Sequence, residues 1–199
     1  MSHLMDEIAS QPECWAKAIE LAASTGPALP APGERVAVIG CGSSLNIARC
    51  YATLREAAGQ GETDAFPASE VPAARRYDRM VYVSRTGTTT EVLDALRQAP
   101  AGVRTTVISA DPGSPLVQEA GAVVLLDFST ERSVVSSRFI TSTIVLLRAH
   151  LGQDLHALPD AAAHELARPL PPGLAERTEF TFLGRAPSSG PSPLILQLR

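Results

Sequence analysis

The chain has 199 residues, 45% of them hydrophobic, and its 17 basic and 21 acidic residues give a formal net charge of −4. This composition predicts a globular protein with one full domain and part of another, and the lack of a basic run argues against a nucleic-acid partner. The three cysteines form no Cys-x-x-Cys pair, so they predict neither a disulfide framework nor a zinc site.

The N-terminal segment is predicted to form a helical arm before the main domain. Residues 1–8 contain acidic side chains where a signal peptide needs a cationic segment and an apolar core, and no stretch approaches membrane-spanning length. We therefore expect a cytoplasmic protein with no membrane partner. Apolar periodicity predicts a helix over residues 4–23 and a Pro- and Gly-rich linker over 26–33, so that residues 1–32 form the arm and linker.

Residues 33–168 alternate between apolar runs and helical patterns. Strands are predicted at 35–39, 62–66, 80–83, 105–108 and 122–126, and helices or helical turns at 43–58, 69–74, 91–97, 114–119, about 134–151 and 155–168. Five apolar strands separated by helices are typical of a parallel sheet covered on both faces. The predicted fold is a flavodoxin-like three-layer α/β/α sandwich with a five-stranded parallel sheet.

Hydroxyl-rich segments follow four of the predicted strands, at residues 40–44, 84–90, 109–114 and 130–137. In open parallel sheets, ligands bind beyond the carboxyl ends of the strands near the topological switch point. Serine and threonine hydroxyls both donate and accept hydrogen bonds, which suits them to sugar hydroxyls. The sequence therefore predicts that these four segments line one pocket.

The segment Ser-Arg-Thr-Gly-Thr-Thr-Thr at 84–90 predicts a phosphate site between a strand and a helix. Its serine and threonines offer hydroxyl donors, Gly87 permits a tight turn, and free N–H groups of the following helix point at an anion. No lysine follows the glycine, so this is not a nucleotide-triphosphate P-loop. A small phosphate ester held without a metal fits best, with a phosphorylated sugar as the commonest such ligand. The alternative is a threonine-rich helix cap.

A dinucleotide site is a second interpretation of the segment after the first strand. Gly40 and Gly42 match the start of the Rossmann fingerprint, and Glu62 or Asp64 lies at roughly the right distance to hold a ribose. Leu45 stands where the third glycine is needed for close approach of helix and strand. The fingerprint is therefore incomplete.

Four motifs, in order along the chain, resemble those of the sugar isomerase (SIS) family: 7–12, 40–44, 84–91 and 130–137. They are most similar to the isomerase half of glucosamine-6-phosphate synthase and to the related tagatose-6-phosphate ketose/aldose isomerases and fructosamine-6-phosphate deglycases. The resemblance implies a phosphosugar-binding protein of the isomerase or deglycase type, acting on a sugar 6-phosphate. We expect no cofactor and no metal, and we expect a homodimer.

The resemblance also implies roles for individual residues. The loop beginning at Ser84 holds the phosphate, Ser43 and Ser44 face the phosphate or the sugar, and Val134 and Ser136 face the sugar chain. An arginine follows Ser84 where the synthase commonly has glutamine, which is similar to the isomerase and deglycase branch. The predicted binding residues are Ser43, Ser44, Ser84, Arg85, Thr86, Gly87, Thr88, Thr89, Val134 and Ser136.

The C-terminal residues 169–199 are predicted to be a linker and the truncated start of a second SIS domain, because such proteins normally carry two. Residues 179–185 resemble the first strand and loop of a second copy, and residues 189–199 would correspond to its next helix. By this alignment Gln197 lies near a family lysine, and the catalytic glutamate would lie just past Arg199. The ring-opening histidine and the C-terminal lysine of the synthase would also lie beyond the chain.

Aldose–ketose interconversion needs a base to carry a proton between adjacent carbons and an acid to open the ring. Glu131, beside the predicted pocket, is a weak candidate for the base, and the alternative is a capping or solvated carboxylate. His150, His156 and His164 fall in or beside late helices, where surface or interhelical roles are expected. The sequence leaves open a phosphosugar isomerase or deglycase and a non-catalytic phosphosugar-binding sensor or truncated remnant.

Overall fold

The main domain is built on a five-stranded parallel sheet, as predicted. The computed structural model describes residues 3–174, 176–184 and 194–198, with the backbone alone for 180–184 and 194–198. The sheet strands are β1 Val36–Gly40, β2 Thr63–Pro67, β3 Arg79–Val83, β4 Arg104–Ser109 and β5 Ala122–Leu125. They lie in the order β2-β1-β3-β4-β5, and every neighbouring pair is parallel. β1 and β3 are buried along their whole length, as expected for a sheet with two covered faces.

Helices cover both faces of the sheet and complete the predicted three-layer sandwich. They are α1 His3–Ala9, α2 Gln11–Ser24, α3 Ser43–Ala57, α4 Thr90–Arg97, α5 Pro115–Gln118, α6 Arg138–His150 and α7 Leu158–Leu166. Val36 and Val38 belong to the core cluster that includes α2, α3 and α6, whereas Ala37 and Ile39 belong to the cluster with α4 and α5. The period of two in β1 therefore divides its side chains between two cores.

The strand order places the topological switch point between β1 and β3. The chain leaves β1 through α3 toward β2 on one side, and leaves β3 through α4 toward β4 on the other. The two loops that follow β1 and β3 therefore diverge, and the space between them is where open α/β sheets bind ligands.

Three predicted helical segments differ from the structure. The turn predicted over 69–74 is a single 3-10 turn at Ala68–Glu70. The helix predicted over 4–23 is divided at Ser10 into α1 and α2, because Pro12 has no N–H to donate to the carbonyl of Ile8. The helix predicted from Val134 begins at Arg138 instead. Residues 134–137 form part of a loop.

The N-terminal arm packs on the main domain through α2 and α6. The indole Nε1 of Trp15 donates to Thr141 Oγ1 at 2.9 Å, and this hydroxyl also contacts Gln11 Oε1 at 2.8 Å. Arg138 in the first turn of α6 donates to Ser10 Oγ at 2.9 Å. The arm is thereby fixed against the helix that follows the predicted sugar-facing loop.

The C-terminal part contains two further strands, β6 Phe180–Gly184 and β7 Leu194–Leu198, which pair with each other in antiparallel fashion. β6 coincides with the strand predicted in this region. The helix expected over 189–199 is wrong for residues 194–198, where a short apolar run forms a strand because it has a partner in β6. Residues 189–193 and Arg199 lie outside the described residues. No helix in the described part of the chain is both long and apolar enough to cross a membrane.

Candidate functional site

A cavity of about 200 Å³ lies beyond the carboxyl ends of β1 and β3, at the switch point. Most of the predicted binding residues share it: Ser43, Ser44, Ser84, Arg85, Thr86, Thr89, Val134 and Ser136. Cys41 also lines the cavity, and apolar surface comes from Val83, Val92 and Phe139. The structure thus brings three of the four predicted hydroxyl-rich segments together. Gly87 and Thr88 are not among the lining residues.

The loop from Ser84 to Thr89 is held by its own hydrogen bonds. Ser84 is only 4% exposed. Its Oγ accepts a hydrogen bond from the Gly87 N–H at 3.2 Å and lies 3.5 Å from Thr89 Oγ1. The Thr88 hydroxyl donates to Thr86 Oγ1 at 3.0 Å on the exposed side of the loop. The turn therefore presents Ser84 and Thr89 together at the cavity and directs Thr88 away from it.

Gly87 is needed for its conformation and for space. Its φ is +60°, in the left-handed region that favours glycine. A Cβ there would overlap Ser114 Oγ and lie 2.5 Å from Ser114 Cβ. The N–H of Leu116 donates to the Gly87 carbonyl at 3.2 Å, so this contact also joins the loop to the start of α5.

The segment 109–114 packs against the loop 84–89 and does not line the cavity, so the prediction that it lines the pocket is wrong. The Ser109 hydroxyl, fully buried, donates to the Arg85 carbonyl at 3.1 Å. Ser114 is 2% exposed and donates to the Asp111 carbonyl at 2.9 Å. These hydroxyls are used within the protein because the turn after β4 packs under the loop after β3.

The N-termini of α3 and α4 meet the cavity from its two sides. α3 begins at Ser43 after Gly42, whose φ is +55°, and α4 begins at Thr90 after Thr89. Among the described residues no side chain caps either helix. The N–H groups of Ser44, Leu45 and Val92 already donate to backbone carbonyls, whereas those of Ser43, Thr90 and Glu91 have no acceptor within the described structure. The helix dipole places partial positive charge at these free groups. The cavity is therefore suited to an anion.

The opposite wall comes from the loop at 130–137, which is organised around Glu131. Its side chain has no exposed surface. Its Oε2 accepts from the Ser136 hydroxyl at 2.6 Å, and its Oε1 accepts from the Ser137 N–H and hydroxyl and from the Arg138 N–H, the last at 2.8 Å. Glu131 thereby caps α6. This explains why the helix starts at Arg138, since Ser136 and Ser137 must stay outside the helix to reach the carboxylate.

The charge of Glu131 is stabilised despite its burial. Burial alone would raise the pKa of Glu131, but the hydrogen bonds from Ser136, Ser137 and Arg138 outweigh it, so the pKa lies below its ordinary value. Arg85 lies 3.4 Å away through Nη1 and also donates to the Ser133 carbonyl at 3.2 Å. A strongly hydrogen-bonded carboxylate is a poor base, and Glu131 is not among the residues that line the cavity. Its contacts are those of the capping alternative.

The sequence placed Glu7 in a motif but did not predict its contact with the loop at 130–137. From α1 it reaches the same loop, where its Oε1 accepts from the N–H groups of Arg132 at 2.6 Å and Ser133 at 3.2 Å. Glu7 as a whole residue is 3% exposed, and its Oε2 has no hydrogen-bond partner within the described structure. Two carboxylates distant in sequence therefore shape the wall that carries Val134 and Ser136.

The Glu131→Gln variant is expected to change the pH dependence of stability. Because the folded-state pKa of Glu131 is lowered, its stabilising contribution is fully present above the unfolded pKa of about 4.3 and is lost as pH falls through the lower folded value. The variant should lose on the order of 1 kcal/mol at pH 7 relative to the parent. Urea unfolding at pH 7, 5, 4 and 3 should show this difference shrinking toward low pH. A difference independent of pH would contradict the assignment of an ionised, hydrogen-bonded Glu131.

The histidines lie away from the cavity. His150 Nε2 lies 2.9 Å from the Pro30 carbonyl, which joins the end of α6 to the linker. His156 and His164 are exposed in or beside α7. Within the described residues no group of three or more His, Cys, Asp and Glu side chains is arranged to hold a metal ion.

The acidic residues considered for a dinucleotide have other partners. Asp64 Oδ2 accepts from Arg75 at 2.8 Å and from the Tyr77 hydroxyl at 2.7 Å. Glu62 pairs with Arg35 at 2.6 Å. A side chain at Gly40 would lie 2.7 Å from the backbone of residue 44, so this glycine serves the close start of α3. These contacts disfavour the ribose-binding interpretation.

Comparisons with known proteins agree with this geometry. The family model for the SIS domain matches residues 31–151. No curated protein matches the sequence.

Three solved structures share the fold. They are the C-terminal domain of glucosamine-fructose-6-phosphate aminotransferase from Francisella tularensis (19% identity, TM-score 0.63, 83% of this chain and 52% of that chain), tagatose-6-phosphate ketose/aldose isomerase from Escherichia coli (19%, 0.69, 83% and 53%) and glucosamine-6-phosphate deaminase from Thermotoga maritima (24%, 0.61, 82% and 53%). This chain spans about half the length of each of these structures.

Proposed function

The chain belongs to the SIS domain family, and from this premise we propose that it binds a sugar 6-phosphate in the cavity beyond β1 and β3. The observation that carries the proposal is the convergence of two uncapped helix N-termini on a cavity that Ser84, Thr86 and Thr89 also line. Free N–H groups and hydroxyls are the donors that hold a phosphate ester without a metal.

The two ends of the cavity suit different parts of such a ligand. The phosphate lies at the loop 84–89 and the start of α4, where the donors are concentrated. The sugar chain extends toward Val134 and Ser136 on the opposite wall. Arg85 lies between the two walls and adds positive charge within reach of the phosphate. The solved structures with this fold include proteins named for tagatose 6-phosphate and glucosamine 6-phosphate, which supports this ligand class.

For activity, we propose chemistry of the aldose–ketose isomerase or deglycase type. Such a reaction needs a base to move a proton between adjacent sugar carbons and an acid to open the ring. The described residues that line the cavity supply phosphate and sugar contacts. The base must therefore come to this cavity from a group outside that lining.

A non-catalytic phosphosugar sensor is the second candidate. It is favoured by the absence of any carboxylate or imidazole among the described lining residues and by the full use of Glu131 in capping α6. In this case the protein binds the sugar phosphate and does not turn it over.

A thermal-shift panel tests the ligand class. Fructose 6-phosphate, glucosamine 6-phosphate or tagatose 6-phosphate at 100 times its Kd stabilises the folded state by about 2.7 kcal/mol, because ligand binds the native state alone. For a chain of this length the melting temperature should rise by roughly 5–10 °C. NAD should give no shift. A shift with NAD and none with any sugar phosphate would refute the proposal.

A proton-exchange assay separates the enzyme from the sensor. Isomerisation through an enediol exchanges the transferred proton with solvent, so NMR in D₂O reports deuterium at the carbon beside the carbonyl. Exchange that scales with protein concentration supports the isomerase-type activity. Binding with neither exchange nor conversion to the isomeric sugar phosphate, for every sugar phosphate that binds, supports the sensor.

A further inference from the structure

The hydroxyl of Ser136 has a fixed direction. Its oxygen lies 2.6 Å from Glu131 Oε2, and both Ser136 Oγ and this carboxylate belong to a wall whose backbone is held by further hydrogen bonds. The Glu131 side chain has no exposed surface, so water does not compete for it. A carboxylate only accepts hydrogen bonds, and the single proton of Ser136 must therefore point at Glu131.

The fixed proton determines what Ser136 presents to a ligand. Ser136 lines the cavity, and with its proton directed to Glu131 the oxygen has lone pairs alone for the cavity. We propose that Glu131 is a positioning residue that makes Ser136 a hydrogen-bond acceptor toward the bound ligand, so that this end of the site selects a hydroxyl or ammonium group. The inference rests on the proposed sugar-phosphate function and adds the polarity of its sugar-binding end.

The polarity gives the site a direction. The end formed by the loop 84–89 and α4 offers donors, which suit phosphate, whereas the Ser136 end offers an acceptor backed by a negative charge. An anion at the Ser136 end would face an acceptor lone pair and the Glu131 carboxylate, which is unfavourable. A sugar phosphate is therefore bound in one orientation.

Glu131→Gln reverses this polarity while changing few atoms. The amide oxygen takes the Oε1 place, where the N–H groups of Ser137 and Arg138 need an acceptor. The amide nitrogen then takes the Oε2 place, where it ends the 3.4 Å ion pair with Arg85 Nη1 and donates to Ser136 Oγ. The serine proton is thereby released toward the cavity. Ser136→Ala removes the group altogether. Glu165→Gln, on the exposed face of α7, is the matched control.

The test compares the dissociation constants of glucosamine 6-phosphate and inorganic phosphate by calorimetry. In Glu131→Gln we expect the sugar phosphate to bind about tenfold more weakly, the worth of one hydrogen bond, relative to inorganic phosphate. Inorganic phosphate at the loop end should not bind more weakly, because Arg85 in the cavity lining no longer pairs with a carboxylate. Glu165→Gln should change neither constant. A merely structural role of Glu131 would weaken both ligands alike and leave their ratio unchanged.

A double-mutant cycle provides the second readout. If Glu131 acts through Ser136, Glu131→Gln should have no further effect on the ratio of the two constants in the Ser136→Ala background. An unchanged ratio in Glu131→Gln, or full additivity in the cycle, would overturn this inference alone. Failure of the parent protein to bind glucosamine 6-phosphate, fructose 6-phosphate and tagatose 6-phosphate would instead overturn the proposed function.

Discussion

Replacing Gly87 with alanine is expected to destabilise the protein by about 3 kcal/mol and to abolish sugar-phosphate binding at millimolar ligand. Two costs act together. Alanine is strained at a φ of +60°, and its Cβ would overlap the Ser114 hydroxyl and lie 2.5 Å from the Ser114 Cβ. The loop must then move away from the turn after β4, which separates the Gly87 N–H from the Ser84 hydroxyl. Urea unfolding and calorimetry measure the two effects.

Gly102 provides a matched control for Gly87. Its φ is +85°, but a Cβ there would meet nothing within 4 Å. It precedes β4 at the amino ends of the strands, whereas the cavity lies beyond their carboxyl ends. Gly102→Ala should cost only the backbone strain, about 1 kcal/mol, and leave ligand binding intact. Adding Ser114→Gly to Gly87→Ala should recover part of the lost stability by removing the overlap. Equal effects of the two alanine substitutions would contradict the packing argument.

Ser84→Ala is expected to weaken sugar-phosphate binding by roughly 10–100-fold, the range for a hydrogen bond to a charged group. The substitution removes the hydroxyl from the cavity and also removes the acceptor of the Gly87 N–H. Because the side chain is small and the loop keeps its contact with α5, stability should fall by about 1 kcal/mol only.

Ser24→Ala is the control for Ser84→Ala. Ser24 is exposed at the end of α2, where its hydroxyl donates to the Leu21 carbonyl at 3.0 Å. Its removal should leave the dissociation constant unchanged. Weakened binding in both variants would show that the Ser84 effect is not specific to the loop.

The fold was predictable because its signals are local. Strands β1, β3 and β5 are apolar runs, and the helices between strands have boundary residues of their own. The break at Ser10 had a local signal in Pro12, but two other errors arose where tertiary contacts decide. The start of α6 depends on hydrogen bonds from Ser137 and Arg138 to Glu131, and β7 depends on pairing with β6. Neither partner can be identified from the periodicity of the segment itself.

The candidate site was predictable in part. The motifs placed Ser84 at the end of a strand and Ser136 in a loop after a strand, and parallel strands bring the segments that follow them to one side of the sheet. Composition could not distinguish hydroxyls that line the cavity from those that support the loop, such as Ser109 and Ser114, because both are serines after strands. The contact of Glu7 with a loop more than a hundred residues away carries no local signal.

The central claim is tested most directly by calorimetric titration of the parent protein and Ser84→Ala with fructose 6-phosphate and with fructose. The two ligands have the same carbon skeleton, and only the first carries a phosphate. The account predicts that the parent binds fructose 6-phosphate and not fructose, and that Ser84→Ala loses most of that affinity. Binding of the two sugars with equal affinity, or an unchanged dissociation constant for fructose 6-phosphate in Ser84→Ala, would contradict a phosphate site at the loop after β3.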